Sequence, residues 1–239
     1  MLYIIGIGSG SFGGMTDEAV KAVGSCSLIV GYTVYNDLLR PYFPDKEYYS
    51  TGMRQERDRV LYALGKAADC DVELVCSGDA GVYGMAGLAA ELAEGFPGVS
   101  IKVIAGVTAA LSGAALLGSP LTNDFAVISL SDLLTPWEVI EKRLEGAALG
   151  DFAVVIYNPM SKKRTDTLKK ACDIILKYRS PDTPCGIASN IGRMGESSRI
   201  LTLSELRGTA VDMFTTVFIG NSVTRVIGGR LVTPRGYKL

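Results

Sequence analysis

The chain has 239 residues, 48% hydrophobic and 21% charged, so it can bury a core and falls outside the composition of disordered chains. Its 24 Lys and Arg against 25 Asp and Glu offer no broad positive field, so no nucleic acid partner is expected. Histidine is absent, which removes Ser-His-Asp and Cys-His catalysis and the usual zinc ligand sets. No metal site is expected, and any acid or base must be a carboxylate, Tyr, Lys, Cys or water. The five cysteines, Cys26, Cys70, Cys76, Cys172 and Cys185, lack C-x-x-C spacing and read as the reduced thiols of a cytoplasmic protein. Met1 leads straight into an apolar strand, so no leader is read. The uncharged run 103–123 is broken by Gly106, Gly113, Gly118 and Pro120, and reads as strand, turn and buried helix rather than a membrane span.

In chain order, residues 2–7 form an apolar strand followed by a glycine-rich loop, G-I-G-S-G-S-F-G-G. Thr16 then caps a helix with Asp17 and Glu18 in its first turn. A dinucleotide fingerprint would need glycine where Ser11 stands, and an acid after the strand 28–30, where Gly31 and Tyr32 follow. An NAD(P)-dependent oxidoreductase is nevertheless the reading from a different class, and a non-catalytic ligand carrier a third. Residues 32–39 read as a short helix ended by Pro41, 47–50 as a strand and 53–68 as a helix. Arg54, Glu56, Arg57, Asp58 and Arg59 read as a solvated, ion-paired face, or, at Arg54, as a cation aimed at an anionic ligand.

The strand 72–76 runs into Ser77-Gly78-Asp79-Ala80-Gly81, with a helix read from Val82 to 94. Asp79 thus stands between glycines at a carboxyl strand end, where open α/β sheets bind ligands, although S-G-D-A-G alone reads equally as a connecting turn. A strand at 99–104 precedes Ala105-Gly106-Val107-Thr108-Ala109 and a helix of small residues. The turn-rich stretch 118–123 divides the chain into domains 1–118 and 119–239. Beyond it, 126–129 is a strand, and Thr135-Pro136-Trp137-Glu138 a capping box opening the helix 139–148. The strand 152–157 ends at Asn158-Pro159, with Lys162, Lys163 and Arg164 next and a helix from 165 or 166 to 178. Strands at 184–189, 199–203 and 216–220 and a hairpin at 227–231 complete the reading.

Taken together, the glycine loop, S-G-D-A-G-V-Y-G, G-V-T-A-A and the late Y-N-P loop resemble the tetrapyrrole methylase family. G-Y-T-V-Y-N-D-L-L, T-G-M-R-Q-E, I-S-L-S-D-L-L-T-P-W, Y-N-P-M-S-K-K-R and T-P-R-G-Y look like its precorrin-3B carbon-17 methyltransferases. The resemblance implies an α/β protein of two α/β domains with S-adenosylmethionine in the cleft between them, and a homodimer. It implies C-methylation of carbon 17 of a trimethylated corrin precursor, coupled to ring contraction, in cobalamin biosynthesis; a methylase of another tetrapyrrole carbon is the alternative within the family. Carried over by position, the cofactor residues are Ser77, Gly78, Asp79, Val82, Tyr83, Thr108, Ala109, Tyr157, Asn158, Ser189, Asn190 and Thr216. The tetrapyrrole falls to Ser9, Arg54, Ser129, Ser131, Asp132, Lys162 and Arg164, with Ser9 where the family usually has proline. No catalytic residue is assigned.

Overall fold

The computed structural model describes residues 1–161 and 164–238, and packing separates two compact units, Met1–Ala109 and Ala110–Leu239. The first holds five strands, β1 (Leu2–Gly6), β2 (Leu28–Tyr32), β3 (Glu47–Thr51), β4 (Val72–Cys76) and β5 (Ile101–Ile104). They pair in the order β3-β2-β4-β1-β5, all parallel. Parallel strands covered on both faces need side chains that are apolar in both directions, which is why L-Y-I-I-G and L-I-V-G-Y read as continuous runs. Helices α1 (Asp17–Ser25) and α2 (Thr33–Leu39) cover one face, over a core of Ile5, Ile29, Val75, Val23 and Leu39. On the other, α3 (Glu56–Ala67) and α4 (Ala86–Leu92) pack over Ile4, Val30, Leu74, Val60 and Leu64. The chain leaves β1 toward the first face and β4, its neighbour, toward the second. Parallel sheets bind ligands outside the carboxyl ends where neighbouring strands diverge in this way.

Two helices start later than the sequence predicts. Arg54 has φ 66° and Tyr83 φ 53°, a left-handed backbone that a right-handed helix cannot incorporate, so α3 begins at Glu56 rather than 53 and α4 at Ala86 rather than 82.

The second unit opens within α5 (Ala109–Leu117), followed by the two-residue β6 (Gly118–Ser119). Its main sheet comprises β7 (Phe125–Ser129), β8 (Ala153–Tyr157), β9 (Pro184–Ser189), β10 (Ser197–Thr202) and β11 (Thr215–Ile219). The order is β10-β9-β11-β8-β7, with β7 and β8 parallel and the other neighbours antiparallel. Three helices, α6 (Trp137–Leu149), α7 (Thr167–Ile175) and α8 (Leu203–Arg207), bury Leu144, Cys172 and Leu206 against Ile156, Val217 and Ile219 on one face. The opposite face receives α5, whose Gly113 stands where a Cβ would come 2.9 Å from the Phe218 ring.

The stretch 118–123, read as a hinge, is tied into the second unit. β6 pairs with β13 (Arg230–Val232), itself the partner of β12 (Arg225–Ile227), and Thr233 donates from its N–H to the Ser119 carbonyl (3.0 Å) and from its hydroxyl to that of Pro120 (2.7 Å). Packing divides the chain at the start of α5, not beyond its end. The capping box expected on Thr135 and Glu138 does not form, because Pro136 itself is the N-cap of α6 and makes no side-chain capping bond. One forms instead on Thr202 and Glu205, ahead of α8, where the sequence suggested only a strand.

Candidate active site

Three strand ends meet in the first unit. Gly8 and Gly78 exchange backbone hydrogen bonds at 3.0 and 2.6 Å, joining the loops after β1 and β4. Asp79 Oδ1 accepts from the amides of Gly81 (2.8 Å) and Val82 (3.1 Å), and Oδ2 from that of Gly106 (2.9 Å), just past β5. Asp79 therefore fastens the third loop to the second. Backbones approach so closely that a Cβ on Gly6 would stand 2.7 Å from Gly106 N and Gly78 O, and one on Gly106 would collide with the Gly78 and Gly6 carbonyls, while Gly78 itself has φ 68°. Beside this junction, a Cβ on Gly78 would meet Thr108 Cα at 3.5 Å and Ala109 N at 3.7 Å.

Of the expected cofactor residues, Gly78 and Asp79 build this junction, Ser77 and Val82 flank it half-buried, and Tyr83 is 55% exposed in its left-handed turn. The junction also explains why the glycine-rich loop is no pyrophosphate cradle. Gly8 spends its amide on Gly78, Gly14 on the Ser11 carbonyl, and α1 is capped by the Thr16 hydroxyl on Ala19 N (3.1 Å). Ser9 lies in the loop, half-buried, and Arg54 projects into solvent.

Sequence reasoning missed Arg59, placed with the solvated charges but only 3% exposed. The available signal was its register with Val60, Ala63 and Ala67 on the apolar face of α3. Its guanidinium donates to Thr51 Oγ1 (2.7 Å) and the Gly52 carbonyl (2.9 Å).

In the second unit, β7 and β8 end side by side. Asn158, left-handed at φ 52°, donates from Nδ2 to Ser129 Oγ (2.9 Å), which also accepts from Ser131 N (3.2 Å). Arg164 pairs with Asp132 at 3.2 Å and donates to the Leu130 carbonyl at 3.3 Å. Ser129, Ser131, Asp132, Asn158 and Arg164 are thus brought together, while Lys162 lies outside the described residues. Tyr157 accepts at its hydroxyl from Ala110 N (2.8 Å) and so holds the first turn of α5. Farther along the sheet, the Ser189 and Thr215 hydroxyls bond at 2.8 Å, and Thr215 donates to Asp212 Oδ1 at 3.0 Å. These three residues with Ile187, Ala210 and Val211 line an open hollow of about 360 Å³. Asn190 follows β9 at φ 50°, and Thr216 is buried.

A sheet whose strand-end loops are glycine junctions and left-handed turns, on a chain without histidine, suits a ligand that brings its own reactive group. The family model for tetrapyrrole (corrin/porphyrin) methylases matches residues 1–207, and the chain belongs to that family. A probable cobalt-factor III C(17)-methyltransferase of Salmonella typhimurium is 44% identical over 241 residues, covering all of both chains. The solved structure of the methyltransferase CobJ superposes with a TM-score of 0.90 at 35% identity, covering 98% of this chain and 99% of that one. Uroporphyrin-III C-methyltransferase of Thermus thermophilus, solved with S-adenosylhomocysteine, shares the fold at a TM-score of 0.71 and 20% identity, over 92% and 91% of the two chains. Among the described residues, no helix is long and apolar enough to cross a membrane.

Proposed function

We propose that the protein transfers a methyl group from S-adenosylmethionine to carbon 17 of a trimethylated corrin precursor, cobalt-factor III, with ring contraction, as a step of cobalamin biosynthesis. The observation that carries this is end-to-end similarity at 44% identity to a relative of that name. The cofactor supplies a methyl already activated on a sulfonium, so the protein's task is alignment and exclusion of water rather than strong acid-base catalysis. A chain with no histidine is equal to it.

The cofactor falls to the loop 77–83 and to Thr108 and Ala109, where Asp79 sets the backbone; Tyr157, Asn158, Ser189, Asn190 and Thr216 complete the set by resemblance. Ser9, Arg54, Lys162 and the group Ser129, Ser131, Asp132 and Arg164 take the tetrapyrrole, whose acetate and propionate side chains suit charge-assisted hydrogen bonds. A homodimer in the cytoplasm completes the proposal, and sedimentation velocity tests the dimer.

The deciding experiment is anaerobic incubation with S-adenosylmethionine and either the cobalt-bound or the metal-free precursor, followed by mass spectrometry. One added methyl on the cobalt form is expected. Preference for the metal-free form would overturn the cobalt assignment, and no methyl on either would overturn the substrate.

A further inference from the structure

Arg59 is a buried cation, 3% exposed, without a paired carboxylate among the described residues. Nε and Nη2 reach the neutral oxygens of Thr51 and Gly52, and Nη1 only the thioether of Met85, at 3.4 Å. A thioether is a weak acceptor, and buried arginines are ordinarily paired with acids. Desolvation accordingly lowers the Arg59 pKa from its ordinary value, with exposed Glu56 the strongest opposing charge.

Its place is as informative as its partners. Thr51 ends β3, Tyr32 ends β2 with its ring centroid 5.9 Å from the guanidinium carbon, and Met85 follows the Asp79 loop after β4. The cation thus stands under the carboxyl edge of the parallel sheet, where ligands of such sheets bind. The Gly52 carbonyl that it meets belongs to the turn 52–55, exposed at every residue, left-handed at Arg54 and closed by Gly52 N on Gln55 Oε1 at 2.7 Å.

We propose that Arg59 is an anion-binding residue whose guanidinium fork takes a ligand carboxylate in place of the Met85 thioether and the Gly52 carbonyl. The inference rests on the methyltransferase reading for its two sources of carboxylate: the amino-acid end of the cofactor, or a peripheral acetate or propionate of the tetrapyrrole. Both offer the planar acceptor pair that the fork matches.

The test uses the full chain and matched probes with and without carboxylates. Calorimetry compares S-adenosylhomocysteine with 5′-methylthioadenosine, and fluorescence quenching compares uroporphyrin III with its octamethyl ester. For Arg59→Gln, one acid probe should weaken by at least about tenfold while its neutral counterpart stays within about twofold, and the probe that responds names the source. Met85→Glu offers the cation an internal carboxylate and should give the same selective loss in a protein that folds, so it decides the matter if Arg59→Gln does not fold. Equal loss for acid and neutral probes, or no loss for either acid, overturns the inference. So does a wild-type protein that binds neither acid probe. If tetrapyrrole binding depends on Arg59 while S-adenosylhomocysteine does not bind, the inference stands and the methyltransferase reading falls.

Discussion

Asp79 carries its role through three backbone amides, those of Gly81, Val82 and Gly106. Its sequence neighbours pick it out as a strand-end acid between glycines, but a carboxylate in such a turn can face a ligand or its own loop, and only the fold shows Gly106 arriving from β5. Asp79→Ala should strip all three amides, one exposed and two part-buried, of their carboxylate acceptor. The expected cost is about 1–3 kcal/mol in urea unfolding, with S-adenosylhomocysteine binding weakened at least about tenfold in calorimetry. Glu73 is a second acid whose meaning was hidden in the sequence. It is fully buried in β4, with Oε1 accepting from Cys26 N at 3.1 Å and Oε2 unpartnered, and burial pushes its pKa from 4.5 to about 8 against the weaker pull of Lys46. Between those values the folded chain holds a proton that the unfolded chain has released, so this group's contribution to stability falls as pH rises and levels off above about pH 8. Glu73→Gln should flatten the decline, by an amount of the order of a few kcal/mol between pH 5 and 8 in paired denaturation curves. An unchanged slope would show that Glu73 ionises freely in the fold.

At the scale of elements, the strands were the legible part, because a two-sided core demands apolar runs and V-E-L-V-C and A-V-V-I-Y supply them. Helix starts were less legible. Positive φ at Arg54 and Tyr83 is imposed by the loops that end there, and neither residue type announces it. The junction after β1, β4 and β5 depends on glycine in a way that can be measured: a Cβ on Gly106 would collide with the carbonyl oxygens of Gly78 and Gly6. Gly106→Ala is expected to cost about 3 kcal/mol or more and to abolish S-adenosylhomocysteine binding before it abolishes folding. Thr202→Ala offers a control in the second unit, removing the capping bond to Glu205 N (3.2 Å) for about 1 kcal/mol with unchanged ligand affinity.

For the whole molecule, family and fold class were legible from short motifs in order along the chain, whereas the assignment of charges was not. Arg164, read as a cation for the substrate, is engaged with Asp132 and the Leu130 carbonyl, so a tetrapyrrole carboxylate would have to share or displace Asp132. Replacing Lys162 and Arg164 together should raise KM for the tetrapyrrole about tenfold and that for S-adenosylmethionine less than about twofold. Equal changes would remove both from substrate recognition.

The pairing of β6 with β13 sets a timetable for synthesis. Every strand pair of the first unit lies within its own residues, so that unit can close while the ribosome is still making the rest. The second cannot, since the Thr233 hydroxyl bonds to a Pro120 carbonyl 113 positions earlier. Until the last hairpin emerges, Gly118 and Ser119 lack their strand partner, and the nascent chain carries a finished half beside one that chaperones would still meet open.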